Sequence, residues 1–89
     1  MKAIVTVVGK DRVGIIASVC TKLAQYNVNV MDISQAVMQG YFTMMMVTDV
    51  SKCNVSVGDL AKQMDAAGQE MGLSIRVQRE DIFQAMHRV

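Results

Sequence analysis

From residue 3 to residue 8 every position except Thr6 is apolar: Ala3, Ile4, Val5, Val7 and Val8. A strand shielded from water on both faces reads this way, so residues 2–8 are predicted as a central β-strand. Beyond a glycine-containing turn the period lengthens. Ile15, Ile16, Val19, Cys20 and Leu23 fall on one stripe of a helix. Asn27 tolerates the left-handed conformation that commonly follows a helix and is placed to end this one. A second strand is predicted over residues 28–38. Gly40 then supplies the positive φ of a tight hairpin. Residues 41–50 return as a third strand, carrying Phe42, Met44, Met45, Met46 and Val47.

Helical spacing resumes with Val57, Leu60, Met64, Ala67 and Met71, at alternating steps of three and four. Ser56 and Asp59 have the separation of a capping box, with Asp a shorter partner than the usual Glu or Gln. Gly68 inside this helix costs about 1 kcal/mol against Ala unless something packs closely on it. Gly72 ends the helix. Strict alternation follows, with Leu73, Ile75 and Val77 pointing one way and Ser74, Arg76 and Gln78 the other. A short amphipathic tail helix is expected next, capped by Asp81, with Ile82, Phe83, Met86 and Val89 on one side.

The element order β-α-β-β-α-β, joined by right-handed crossovers, predicts an α+β ferredoxin-like sandwich. Its four-stranded antiparallel sheet has the spatial order 4-1-3-2, with two helices on one face and the tail helix added. That order puts strands one and three in the centre, and these are the two most uniformly apolar strands. Two helices cover only one face, yet the third strand is apolar on both. An open face built from Met44 and Met46, or from Met45 and Val47, exceeds what a monomer ordinarily leaves in water. Either the tail helix or a second copy must cover it, and self-association is the expectation.

At 89 residues the chain has room for one core. Nine Lys and Arg against eight Asp and Glu give a net charge of +1, with the basic residues scattered. Such a distribution lacks the concentrated footprint that nucleic acid requires. The chain opens on a strand, without a signal peptide or long apolar span, so a cytoplasmic location and no membrane partner are expected. Cys20 and Cys53 do not have the spacing of a metal-ligand pair and are expected as free thiols. Cys20 lies on the apolar stripe of the first helix; Cys53, in a polar turn beside Lys52, is expected at the surface. Nine methionines at strand and helix spacing suit core or interface filler better than soft-metal ligands. His87 reads as a solvated cation near the end of the tail. With no second histidine or clustered carboxylate pair, no acid–base dyad can be assigned. No catalytic residue, metal or cofactor is therefore expected.

The turn Gly9-Lys10-Asp11-Arg12-Val13-Gly14-Ile15 joins the first strand to the first helix. Gly9 is expected to leave the strand at a φ that a side chain would penalise, and Asp11 to cap the helix. Gly14 leaves the first helical turn open to close approach. Free amides at a positive helix end suit a carboxylate or other small anion. The same residues also read as a capped structural turn, and they match neither glycine-rich phosphate motif.

This turn, followed after one helix by Asn27-Val28-Asn29-Val30, resembles the ACT domain family over about residues 2–80. The first segment is similar to the family's G-x-D-R-P-G-[IL] turn, with Val13 in place of the proline. The second is similar to the N-[IV] pair at the start of its second strand. Length, the Asp32-Ile33-Ser34-Gln35 segment and the tail suggest a small stand-alone ACT protein of bacteria or archaea. Residues 1–80 would form the domain and residues 81–89 its helical extension. The resemblance implies a regulatory module that pairs side by side and binds an amino acid at the subunit interface. Its implied ligand contacts are Asp11, Val13, Gly14 and Ile15 at the turn, with Val28 and Asn29 at the second strand. Asp11 stands where several amino-acid-binding members carry Asn; its charge suits an effector's ammonium group and repels its carboxylate.

The implied partners are a small amino-acid effector, further copies of the chain as a dimer or higher oligomer, and a metabolic enzyme or regulator that reads the change. Two other classes remain. One is a protein–protein interaction module that uses the methionine-rich sheet face and no small ligand. The other is an acylphosphatase-like enzyme in which Arg12 and the turn amides cradle an acyl phosphate. For the enzyme, the G-x-V-Q-G-V-x-[FY]-R turn is missing, and analogy of fold is weak support.

Overall fold

The computed structural model describes residues 1–10 and 12–81. Its elements are β1 (Lys2–Lys10), α1 (Ile15–Gln25), β2 (Asn29–Met38), β3 (Tyr41–Asp49), α2 (Val57–Met71) and β4 (Ser74–Arg79). The strands form one antiparallel sheet in the order β2-β3-β1-β4. This is the predicted order read from the other edge, with the two most apolar strands in the middle. The expected tail helix, with Ile82, Phe83, Met86, His87 and Val89, lies outside the described residues. Asp81, its expected cap, holds Arg79 through two hydrogen bonds of 3.1 and 2.7 Å.

Pairing register assigns each strand a helix-facing row. Val5 stands beside Met46 and Val77, and Val7 beside Met44 and Ile75. Ala3, Val5, Val7, Phe42, Met44, Met46 and Ile75 are buried there with Val19 and Leu23 of α1 and Leu60 and Met64 of α2. Thr48 lies in the same row, and its buried hydroxyl donates to the Ala3 carbonyl at 2.9 Å. Of the two alternatives for the third strand, Met45 and Val47 therefore belong to the face that α1 and α2 leave open. Met45, Val8 and Tyr41 are 40%, 41% and 55% exposed on that face.

Local signals fix the element ends. Asn27 (φ 61°) turns the chain out of α1. The amides of Asn27 and Val28 return to the carbonyls of Ala24 and Leu23 at 3.0 and 3.1 Å, while the Val28 and Leu23 side chains meet in the core. Gly72 (φ 72°) ends α2, and the Leu73 amide reaches the Gly68 carbonyl at 2.7 Å. The Ser56 hydroxyl caps α2 by accepting from the Asp59 amide at 3.1 Å. Gln39 and Gly40 both have positive φ, as the tightest hairpin turns require.

Three expectations change. The first strand runs two residues further, to Lys10, and Gly9 stays inside it outside the left-handed region. The neighbour packed on position 9 is a side chain: a Cβ there would come within 2.4 Å of Leu73 Cδ2, which would have to shift. The left-handed residue of the turn is Gly14 (φ 89°), which also occupies the N-cap position of α1, with no side-chain bond to the helix. A cap at Asp11 would sit too far back in the chain, because the helix begins only at Ile15. Cys53 is half-buried against the core rather than surface-bound, because the loop after β3 folds under α1 through an Asn54 amide bond to the Tyr26 carbonyl (3.1 Å).

One irregularity shapes the outer strand. Pairing between β2 and β3 skips a residue at Met31, a β-bulge between Val30 and Asp32. Val30 opposes Thr48, and Ile33, Gln35 and Val37 oppose Met46, Met44 and Phe42. The helix side of β2 is thus Val30, Ile33, Gln35 and Val37, a row that simple alternation would not give.

Candidate functional site

The sequence-derived site divides into two hollows at opposite ends of α1. The first lies between the start of α1 and β2, with a volume of about 430 Å³. Gly14 and Ile15 line it, as the turn suggests, together with Arg12, Ile16, Gln35, Val37 and Phe42. The first backbone bond of the helix runs from the Ser18 amide to the Gly14 carbonyl (2.9 Å), so the amides of Ile15, Ile16 and Ala17 have no partner within the helix. No acidic residue occupies the first turn. Arg12 adds a full positive charge, and its guanidinium donates to the Met71 carbonyl at the end of α2. Among the described residues the charges at this hollow are positive, which suits a carboxylate. Val13 is fully exposed beside it, and Asp11 lies outside the described residues.

The second hollow, about 340 Å³, opens where α1 gives way to β2 and is lined by Asn27, Val28, Asn29, Asp49 and Lys52. Asn29 contributes an exposed side chain. Val28 does not: it is 7% exposed in the core, with its amide committed to closing α1. Asn27 ties the hollow's rim together by donating from Nδ2 to the Lys52 carbonyl at 2.8 Å. Asp49 accepts from the Ser51 amide at 2.9 Å. Hydrogen bonds from Ser51, assisted by the chain's terminal ammonium and Lys52, hold the Asp49 carboxyl below its usual range.

The eleven residues of α1 separate the hollows by about 16 Å. Within one chain, Gly14 and Ile15 are together, and Asn29 is not with them. Sequence reasoning missed Gln35, Val37 and Phe42, which reach the first hollow only because of the bulge and the β2–β3 register. It also missed Asp49 and Lys52, which join Asn29 through strand pairing and the following loop. Among the described residues, no group of three or more His, Cys, Asp or Glu could hold a metal ion. No helix among them is long and apolar enough to cross a membrane.

This architecture has counterparts among known proteins. The family description "ACT domain" matches residues 2–78. A UPF0237 protein of Bifidobacterium longum is 52% identical over 88 residues, spanning 99% of this chain and 98% of its own. One from Methanopyrus kandleri is 48% identical over 88 residues, again spanning 99% and 98%. An ACT domain protein from Streptococcus pneumoniae superposes with a TM-score of 0.83 at 44% identity, covering 93% of both chains. On sequence and fold together, the chain belongs to the ACT domain family, as a compact member built of one βαββαβ unit.

Proposed function

We propose that this chain is a non-enzymatic regulatory module that binds a small amino acid between two copies of itself and passes the ligand state to a partner enzyme or regulator. The observation that carries this reading is the position of the two hollows, at opposite ends of a strand whose outer edge is open. β2 is an edge strand, exposed at every residue but Val30. Met31, Ile33 and Val37 offer apolar surface along it, at 52%, 40% and 57% exposure. An antiparallel pairing of two such edges about a two-fold axis runs the start of each strand to the end of its mate. Asn29 of one copy then meets the hollow formed by Gly14, Ile15 and Arg12 of the other. Each site is completed only in the pair.

Ligand binding stabilises whichever assembly holds the complete site. At 100 times the Kd, that linkage amounts to about 2.7 kcal/mol. A thermal-shift screen of the twenty amino acids at millimolar concentration, read alongside light scattering, tests the reading. One or a few amino acids should raise the melting temperature and favour the pair. Silence from all twenty, with Asn29→Ala also without effect, rejects the amino-acid sensor.

A second reading rests on the open sheet face. Val8, Tyr41 and Met45 remain exposed on it, which favours an interaction module without a small ligand. An assembly broken by Met45→Lys and untouched by Ile33→Lys would favour this alternative.

A further inference from the structure

Ile4 breaks the pattern of the open sheet face. Its neighbours along β1, Ala3 and Val5, point into the core beneath α1 and α2, so Ile4 points the other way. Val8, on the same side of the same strand, is 41% exposed, and Met45 beside it on β3 is 40% exposed. Ile4 is only 6% exposed, yet it has no place in the core cluster under the helices. Its cross-strand partners Val47 and Gln78 are half-buried on the same side. Flanking strands shield a side chain from its edges and leave it open from above. This end of the face is therefore covered, and α1 and α2 lie on the opposite side.

The chain carries a segment of the right kind in the right place. β4 runs antiparallel to β1 and brings Arg79 opposite Ala3, next to Ile4. Glu80 and Asp81 already have helical backbone, and Asp81 fixes the exit from the strand through its two bonds to Arg79. In residues 82–89, Ile82, Phe83, Met86 and Val89 fall on one side at helical spacing, with Gln84 and Arg88 opposite. Asp11, which also lies outside the described residues, follows Lys10 at the far end of β1.

We propose that residues 82–89 lie as an amphipathic helix across the open sheet face, over Ile4 and Val47, and seal that end of the sheet. The proposal goes beyond the sensor reading and does not depend on it. Eight helical residues extend about 12 Å. Strands lie about 4.8 Å apart, so the segment reaches from β4 over β1 to β3 and stops short of β2. A helix about 10 Å wide covers about three residues of each strand. Val8, about 13 Å along β1 from Ile4, stays outside it. That division is the one the exposures show. The occupant is the chain's own segment, because Ile4 is buried already within a single copy. A second copy or another partner then has only the end of the face at Val8, Tyr41 and Met45 to dock on.

The test uses the full chain with its isoleucine methyl groups isotope-labelled. Nuclear Overhauser contacts should join the Ile4 methyl to Phe83 or Met86. In an equimolar mixture of labelled and unlabelled chains, these contacts should arise within chains and not between them. Phe83→Asp should abolish them, shift the Ile4 methyl resonance and lower the melting temperature by about 4 °C or more. Gln84→Asp places the same charge on the polar side of the segment and should leave all three readouts as in the wild type. Absence of any contact between Ile4 and residues 82–89 in the wild type overturns the proposal. Contacts seen only between chains overturn it too, and make a second copy the occupant. So does a Phe83→Asp protein with an unmoved Ile4 methyl, or a Gln84→Asp protein that changes as much as Phe83→Asp.

Discussion

Replacing Gly68 with alanine should destabilise this domain, although alanine is the better helix former. In a helix interior the exchange ordinarily gains about 1 kcal/mol. At position 68 the added Cβ would stand 2.8 Å from the Leu73 carbonyl oxygen and 3.0 Å from Ile75 Cγ1. The carbonyl belongs to the backbone where the chain leaves α2 for β4, and the Leu73 amide is itself bonded to the Gly68 carbonyl. The contact can be relieved only by moving α2 away from β4 or by straining that closure. Overpacking of this kind costs about 1–3 kcal/mol, and a backbone obstacle falls toward the upper end. After the propensity gain is subtracted, a net loss of about 1–2 kcal/mol remains. For a domain of this size that lowers the melting temperature by about 4–15 °C. Gly58→Ala is the internal control, because its Cβ meets nothing closer than Ser56 Oγ at 3.9 Å. That variant should be neutral or up to about 1 kcal/mol more stable. Urea denaturation with unchanged slope, supported by thermal melts, measures both. A Gly68→Ala protein as stable as Gly58→Ala would refute the packing argument.

Two further outcomes follow from the turn and the second hollow. Gly14→Ala should lower stability by about 1 kcal/mol, because Gly14 sits at φ 89° with open space around it and the cost is wholly conformational; an unchanged melting temperature would show that the turn relaxes. Asp49 has a lowered folded-state pKa, so its contribution to stability is present above the unfolded value, near 3.8, and is lost as the pH falls through the folded one. The stability gap between wild type and Asp49→Asn should therefore shrink on acidification below about pH 3.8, and a gap that persists at the acid limit would mean that the Ser51 contacts do not depend on charge.

What the sequence made legible was set by local physics. The hairpin at Gly40, the ends of α1 at Asn27 and of α2 at Gly72, and the Ser56 cap all follow from one or two residues, and each is where the pattern puts it. The central strands could be ranked because Val5 and Val7 pair with Met46 and Met44 inside one continuous core. Gly9 misled because a glycine packed closely by a neighbour's side chain looks the same in sequence as one required by φ. Only the approach of Leu73, more than sixty residues away, separates the two cases. The composition of the hollows was illegible for a related reason. Gln35 and Phe42 depend on register, and Asp49 reaches Asn29 through pairing across a hairpin. Motif spacing finds residues held by one turn of chain; it does not find those assembled by a sheet.

The extra residue at Met31 also bears on how the protein survives with an open edge. A straight ten-residue strand with apolar side chains is a template on which any extended segment can grow, the first step toward aggregation. A bulge bends the strand and interrupts its ladder, so a flat, regular strand cannot match it from end to end. A segment with the same interruption can. The edge thus discriminates by shape before any side chain is compared, and the same bend that turns Ile33, Gln35 and Val37 toward the helices restricts which strands it can accept.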